Sequence, residues 1–323
     1  MEVTQSELEA VYDEVKTPHK HGVILRGPDG DAVDCPCVFR MKDQWLMMYV
    51  CMNKVGYETH LARSDDLLQW QPLGKILSFR EGDVWDKWQA DGGMALIDHT
   101  WGGSMAPRTH DDKYWLSYIG GALQGYEPDP LSIGMAWTRA PDKVAEWHRV
   151  EANPVLSPFQ PDVRAFEKKT LYKSQIILDE AKSLGSRFVM YYNGKQEGRG
   201  WERIGMALSD DMIQWRRFGE GPVIDNLTGI SGDPQVVRMG DLWVMFYFGH
   251  VWKPQAFDTF AVSRDMVNWT KWDGPHLIEP SEPFDSTFAH KPWLLKHNGV
   301  VYHYYCAVAG KERTIAVATS AKL

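Results

Sequence analysis

Short apolar runs separated by polar turns recur along the whole chain and predict a protein built mainly of β-strands. Most of these runs pair in one way: an alternating strand, a turn such as Lys-Asp, Gly-Asp or Asn-Gly, then a strand of aromatic and aliphatic residues. Such turns between such strands are typical of β-hairpins. Hairpins of this kind are predicted within five segments: 38–50, 111–121, 186–194, 236–249 and 293–305.

A second pattern follows each predicted hairpin. It consists of a short apolar strand, a Ser or Thr, acidic residues and then Trp. Its five copies lie at 61–70, 133–147, 204–215, 260–269 and 314–323, and the last copy lacks the Trp. The Ser and Asp side chains favour a turn after the third strand, and the Trp is suited to pack between repeats. We therefore interpret this pattern as structural.

The two patterns together define five units, each with a hairpin, a third strand and an outer strand, recurring about every 55 to 75 residues. Ordered four-stranded repeats arranged radially predict an all-β fold, a five-bladed β-propeller. A β-sandwich with accidental similarity is the alternative, and recurrence of five units in order argues against it. We expect the propeller to be one catalytic domain, residues 23–323.

The first residues follow a different pattern. Within 6–16, Leu8, Val11 and Val15 are spaced three and four apart, which predicts a short amphipathic helix ending before Pro18. We assign residues 1–22 to an N-terminal helical extension. A lone helix of this length is not stable by itself, so it must dock on its own propeller or on a neighbouring subunit.

Composition narrows the classes of function. The 323 residues carry a formal net charge of −8 and no block of Lys or Arg, which argues against a nucleic-acid partner. No apolar stretch approaches the roughly 20 residues that span a membrane. The start of the chain lacks the features of a signal peptide, so we expect a cytoplasmic protein, or a periplasmic one if a leader was removed. The four cysteines are expected to be reduced: Cys35, Cys37, Cys51 and Cys306.

In a propeller, the first strand of each blade lines the central channel, so polar residues opening these strands point into one axial pocket. Each alone is explained by a turn or a solvated charge, but their convergence indicates a site. The residues are Asp34, Asp91, Glu167, Lys173, Asp233, His290 and Lys291. Trp252, in a loop outside the repeat, is suited to pack on the face of a sugar. An acidic pocket with aromatic walls meets the need of glycoside hydrolysis for two acid–base groups, and its negative potential would favour the protonated state of a histidine.

At these residues the chain resembles five-bladed propeller glycosidases of glycoside hydrolase families 43, 32 and 117. Family 43 usually opens its first blade with Asp-Pro, whereas this chain has Asp-Cys-Pro at 34–36. Family 117 is the closer resemblance, through EVKTPHKHGVIL at 14–25 and His-Lys-Pro at 290–292. That resemblance implies an exo-acting, inverting enzyme in which Asp34 is the base, Asp233 assists and His290 is the general acid. It also implies a homodimer formed by exchange of the N-terminal helix.

We therefore predict release of a terminal sugar of the 3,6-anhydro-L-galactose, galactose or arabinose type from an oligosaccharide. Asp91, Glu167, Lys173, Trp252 and Lys291 would bind the substrate. The alternatives are a family 43-like α-L-arabinofuranosidase with Glu167 as the acid, and a non-catalytic carbohydrate-binding propeller. The sequence identifies no cofactor, although some relatives implied by the resemblance hold a divalent cation on the axis.

Overall fold

The computed structural model describes residues 2–145 and 147–323, which form a nearly all-β protein with one α-helix. Helix α1 spans Gln5–Val15, and strand β1 spans His19–Leu25. The first sheet contains β2 (Ala32–Met41), β3 (Gln44–Met52), β4 (Tyr57–Ser64) and β5 (Gln71–Leu77). The second contains β6 (Gln89–Met94), β7 (Tyr114–Gly121), β8 (Ser132–Thr138) and β9 (His148–Arg149).

The remaining strands form two further sheets. An eight-stranded sheet contains β10 (Thr170–Leu178), β11 (Phe188–Lys195), β12 (Glu202–Ser209), β13 (Arg216–Phe218), β14 (Ile230–Met239), β15 (Leu242–His250), β16 (Phe257–Ser263) and β17 (Trp269–Lys271). The last sheet contains β1 with β18 (Phe288–His297), β19 (Val300–Ala309) and β20 (Glu312–Thr319). Short 3-10 helices lie at Pro28–Gly30, Ala165–Glu167 and Pro283–Asp285.

Consecutive strands pair antiparallel within each sheet, as the predicted hairpins require. The eight-stranded sheet is two groups of four, β10–β13 and β14–β17, and a single parallel pair between Glu202 and Ile230 joins them. The predicted unit, a hairpin with a third and an outer strand, is therefore the repeating element of this fold.

The repeated Ser-acid-acid-Trp pattern closes the third strand, as predicted. After β12, the Ser209 hydroxyl accepts hydrogen bonds from the backbone N–H groups of Asp211 and Met212. The indole of Trp215 donates to the Met212 carbonyl at 3.0 Å, and Met212 has a left-handed φ of 65°. The same contacts recur after β4, and after β16 the serine contact to the second acidic position and the tryptophan contact recur. The side-chain contacts therefore support a turn that the backbone alone disfavours.

Strand β1 joins the start of the chain to its end. It pairs antiparallel with β20, from His19 opposite Thr319 to Leu25 opposite Ile315. The last sheet takes its fourth strand from the N-terminal segment for this reason. The predicted boundary after residue 22 falls inside this strand.

Helix α1 docks on the chain's own sheets. Thr4 and Glu7 form a reciprocal capping box at its start. The apolar face formed by Leu8, Val11 and Val15 is buried in a cluster with strand residues of β14–β16 and β18. Because the chain itself covers this face, no second subunit is needed to bury it. The homodimer expected through helix exchange therefore has no support from the structure.

Candidate active site

The first strands of the four-stranded groups converge on a cavity of about 200 Å³. Each of β2, β6, β10, β14 and β18 contributes a polar residue to its wall: Cys35, Asp91, Lys173, Asp233 and His290. Lys291 also lines it. The polar residues near the starts of the first strands therefore do meet at one cavity, with Cys35 in place of Asp34.

Three β-bulges explain this exchange. Cys35, Asp233 and Lys291 each precede a proline and have left-handed φ values of 52°, 50° and 64°. The strand register shifts at all three places. Bulges of this kind redirect side chains and are common beside active sites. In β2 the residue before the proline, Cys35, lines the cavity, and Asp34, one position earlier, lies behind the wall.

Asp34 is held in ion pairs rather than facing a substrate. Its carboxylate accepts hydrogen bonds from Lys291, at 2.8 Å, and from Arg313. The side chain is buried, and the two cations hold its pKa far below the usual range despite the opposing effect of desolvation. Such a carboxylate is a poor proton acceptor. The predicted role of Asp34 as the base is not supported by these contacts.

Glu202, the first residue of β12, has the most strongly shifted pKa of the carboxyl groups in the cavity wall. Burial is the main cause that raises its pKa to about 8, and the negative charge of Glu127 adds to the effect. A carboxyl group of this kind keeps its proton at neutral pH. Sequence reasoning missed Glu202 because it considered only first strands. The sequence signal that could have identified Glu202 is its position as the first residue of a third strand.

Glu127 lies in the loop between β7 and β8 and was also missed. Its carboxylate is 21% exposed and pairs with the Lys291 ammonium at 3.2 Å. The Tyr57 hydroxyl donates to it at 3.5 Å. Its φ of 43° is unusual for a residue other than glycine. The loop is therefore held in a strained conformation that places a carboxylate at the cavity, near Glu202.

Asp233 faces the same cavity. Its backbone N–H donates to Asn193 Oδ1 at 2.8 Å, which fixes the bulge. Burial is the main cause that raises its pKa to about 6, and Lys291 and Lys173 oppose that rise. Asp233 is therefore mainly ionised at neutral pH, whereas Glu202 is mainly protonated.

Two solved structures match the whole chain. One is described as a BT0996 RGII complex, with 44% identity, a TM-score of 0.95 and coverage of 100% of this chain and 97% of that protein. The other is described as a glycoside hydrolase, with 43% identity, the same TM-score and the same coverage. The chain belongs to the glycoside hydrolases. The propeller glycosidase resemblance is confirmed, whereas membership of family 117 is not.

More distant comparisons show less about this glycoside hydrolase. A thermostable family-43 glycoside hydrolase has a TM-score of 0.65 at 15% identity, over 93% of this chain and 91% of that one, which shows a shared fold. An uncharacterized protein of Mycobacterium tuberculosis is 26% identical over 175 residues, which are 50% of this chain. The chain spans 58% of the length of that relative. No protein-family model matches the chain.

His290, the predicted general acid, has a lowered pKa. It is buried, and desolvation, together with the charge of Arg313, lowers its pKa well below 6.5. The imidazole is therefore neutral at neutral pH, and no carboxylate hydrogen-bonds to it among the described residues. The negative charge of Asp34 does favour the protonated form, as an acidic environment was predicted to do, but desolvation and the charge of Arg313 outweigh it.

Two other predicted residues lie outside the cavity wall. Glu167 is fully buried and accepts hydrogen bonds from Arg164, Arg217 and Tyr192, and those contacts lower its pKa. These contacts place Glu167 in a buried ion-pair cluster away from the cavity wall and do not favour its family 43-like assignment as the acid. The Trp252 indole donates to the Ile230 carbonyl at 2.8 Å and so supports the start of β14, and the ring is not part of the cavity wall.

Asp91 and Lys173 do line the cavity and form an ion pair at 3.2 Å. The contact with Asp91 opposes the effect of desolvation and raises the pKa of Lys173. Lys173 and Lys291 therefore keep two positive charges at the cavity, beside four carboxyl groups, those of Asp91, Glu127, Glu202 and Asp233. No cluster of three metal-binding side chains occurs in residues 2–145 and 147–323. All four cysteines are free and buried.

Within the described part of the chain, no helix has the length and apolarity needed to cross a membrane.

The ion pairs of Asp34 predict a large effect on stability. Asp34→Asn leaves Arg313 buried without its partner, and we expect the free energy of unfolding to fall by about 3–5 kcal/mol. Urea denaturation at pH 7 measures this. Because the folded-state pKa is depressed, the contribution is present above the unfolded pKa and decreases as the pH falls below it. Asp43→Asn, in the exposed turn of the same sheet, is the control. Unchanged stability with lost turnover would restore the catalytic role of Asp34.

Proposed function

We propose that this glycoside hydrolase releases a single terminal sugar, with Glu202 as the general acid and Glu127 as its partner carboxylate. The observation that supports this proposal is the raised pKa of Glu202, about 8, in the wall of the cavity. Glycosidases need one protonated and one ionised carboxyl group flanking the scissile bond. Glu202 and Glu127 both line this cavity, and the charge of Glu127 acts on Glu202, which supports their assignment as such a pair.

In the proposed reaction, Glu202 donates its proton to the glycosidic oxygen as the bond to the anomeric carbon breaks. Positive charge develops on the sugar ring, and the carboxylate of Glu127 stabilises it. Glu127 then acts in one of two ways. It accepts a proton from the attacking water, which inverts the anomeric centre, or it bonds to the anomeric carbon to form a glycosyl-enzyme. In the second case water, deprotonated by the now ionised Glu202, displaces Glu127 from that carbon, and the two inversions retain the configuration. Inversion stays the prediction from the resemblance, and proton NMR of the first product formed tests it.

The remaining charged groups would orient the sugar. Asp233 offers a carboxylate to hydroxyl groups, in keeping with its predicted assisting role. Asp91 and Lys173 offer an acceptor and a donor on neighbouring first strands. Lys291 contacts both Asp34 and Glu127, so it fixes the position of the partner carboxylate. This role also explains why a buried lysine stands at this bulge.

The size of the cavity favours exo-action. Its volume of about 200 Å³ is below the roughly 300–1,000 Å³ of pockets that hold drug-sized ligands. One sugar ring is the occupant that this volume suits. We also infer that the two halves of the eight-stranded sheet are separate blades, which completes the five blades predicted from the repeats.

Oligosaccharides of RGII are the first substrates to test, because the solved structure at 44% identity is described as an RGII complex. Agar, arabinan and galactan oligosaccharides complete the panel. We expect chromatography to show one monosaccharide and an oligosaccharide shortened by one unit. A ladder of internal fragments would contradict exo-action. The absence of any released sugar, with binding retained, would favour the carbohydrate-binding alternative for this chain.

The pH dependence follows from the raised pKa of Glu202. The acid is protonated below about pH 8 and ionised above it, so kcat/KM is expected to fall as the pH rises through 8. Initial rates measured at a series of pH values above 7 follow this fall, which is the alkaline limb of the pH profile. A limb well on the acid side of neutrality would assign the acid role to another group.

A further inference from the structure

Two copies of a Phe-x-His segment meet in the cavity wall. Phe-Gly-His at 248–250 ends β15, and Phe-Ala-His at 288–290 begins β18. Side chains alternate along a strand, so Phe and His of each segment lie on one face. All four rings line the cavity. Apart from His290, the predicted acid, these residues carried no signal in the sequence.

The four rings form a continuous row, which we call the aromatic wall. The ring centroid of His290 lies 5.2 Å from that of Phe248 and 5.7 Å from that of Phe288. His250 lies 5.0 Å from Phe288 on its other side. Packing of this kind between aromatic rings holds the imidazoles in fixed orientations. The wall is therefore a surface in which two polar rings alternate with two apolar ones.

The imidazoles of the aromatic wall have unused hydrogen-bonding capacity. Both ring nitrogens of His290, and Nδ1 of His250, are buried and have no hydrogen-bond partner within the described residues. His290 itself is only 6% exposed. Buried polar groups in folded proteins are almost always hydrogen-bonded, and an exception in a cavity indicates a ligand that supplies the bond.

The chemistry of that ligand follows from the state of the rings. Burial lowers the pKa of both histidines, so each ring is neutral and carries one donor nitrogen and one acceptor nitrogen. A hydroxyl group also donates and accepts, and it matches a neutral imidazole in both roles. The adjacent phenyl rings suit the C–H groups of a sugar. Arg313 and Lys291, whose charges act on His290, disfavour a charged imidazole.

We infer that His290 and His250 bind hydroxyl groups of the terminal sugar and thereby determine which sugar the cavity accepts. This inference rests on the proposed function, and it assigns His290 to binding instead of proton transfer. A site built to hydrogen-bond a hydroxyl rejects the analogue that lacks it by about 10⁴-fold, because its buried polar atoms are then left without partners.

The test compares the released sugar with its monodeoxy analogues, each as a 4-nitrophenyl glycoside. Wild type is expected to lose up to about 10⁴-fold in kcat/KM on at least one analogue. His290→Leu should lower activity on the parent glycoside and no longer distinguish it from that analogue, and His250→Leu should do the same for a second position. His290→Asn, which keeps one donor and one acceptor, should recover part of the discrimination.

The matched control is His297→Leu at the other end of β18, outside the cavity wall, which should behave as wild type. Leucine variants that still discriminate against every deoxy analogue as wild type does would overturn the inference. A pH profile separates binding from acid catalysis, because a binding role predicts that His290→Asn keeps the alkaline limb assigned to Glu202. Loss of the alkaline limb in His290→Asn would also overturn the inference that His290 binds the sugar.

A second measurement does not depend on turnover. Nitrogen-15 NMR of histidine-labelled Glu202→Gln protein is recorded with D-galactose, L-arabinose and 3,6-anhydro-L-galactose. At least one sugar should shift the ring nitrogen signals of His290 and His250, and the His297 signals should not move. If none of the three sugars shifts them, the inference is wrong. If the signals shift but the Glu202→Gln variant hydrolyses oligosaccharides normally, the proposed acid is wrong and the binding role stands.

Discussion

Replacing Glu202 by Gln is expected to lower kcat/KM by about 10²–10⁴-fold on oligosaccharides, the range that general acid catalysis contributes. The amide keeps the shape of the side chain but cannot transfer a proton to the leaving sugar. Substrates with an activated leaving group, such as 4-nitrophenol, need little protonation and should lose much less. Initial rates on one oligosaccharide and one aryl glycoside, over the same pH range, measure both effects.

The chain provides a matched control for this variant. Glu312 opens β20 as Glu202 opens β12, and both residues precede an arginine, but Glu312 pairs with Arg26 at the surface. Glu312→Gln should leave kcat/KM unchanged on both substrates. Equal losses on the oligosaccharide and the aryl glycoside in Glu202→Gln would argue against acid catalysis. The alkaline limb of the pH profile should also disappear in this variant if Glu202 produces it.

Replacing Glu127 by Gln is expected to reduce turnover by a similar or larger factor, about 10³–10⁴, and equally for activated and natural leaving groups. The reason is that the partner carboxylate acts at the anomeric carbon, where the identity of the leaving group matters little. Loss of its charge should also lower the pKa of Glu202, because Glu127 is the second cause of that rise. The basic limb of any residual activity should therefore move to lower pH.

Two comparisons make the Glu127 result decisive. Glu151→Gln, in an exposed turn after β9, is the control and should have no effect. Asp233→Asn should reduce activity less than Glu127→Gln, since Asp233 is assigned to orienting the sugar. The reverse order would make Asp233 the partner carboxylate. External azide or formate, small enough to enter the vacated space, should restore part of the activity of Glu127→Ala if the assignment is right.

The fold was predictable from the sequence because its information is local and repeated. Each hairpin depends on a short turn between alternating strands, and most third strands end in the same Ser-Asp-Trp turn. The first strands could be located in this way, and with them the residues that open them. Those that line the cavity are Asp91, Lys173, Asp233, His290 and Lys291. They line the cavity because the position of a residue in the repeat determines whether it lies at the end of the strand that faces the axis.

The chemical roles were less accessible because they depend on contacts between distant segments. The left-handed conformation of Cys35 moves Asp34 behind the wall, and the proline after Cys35 identifies that shift only once the structure shows that the residue before it faces the cavity. Glu127 reaches the cavity from a loop, and its strained backbone has no counterpart in the repeat. The protonation state of Glu202 follows from burial and from that loop carboxylate. The protonation state of His290 follows from burial and from Arg313, which belongs to the last strand.

The pairing of β1 with β20 also limits the order in which the strands of this enzyme can pair during its synthesis. His19 leaves the ribosome about 300 residues before its partner Thr319, a delay of roughly 15–60 s at ordinary rates of synthesis. During that interval β1 is an unpaired edge strand, and such strands are open to pairing with other chains. Ring closure is then the last step of folding, and we expect chaperone dependence during translation to exceed that seen on refolding of the complete chain.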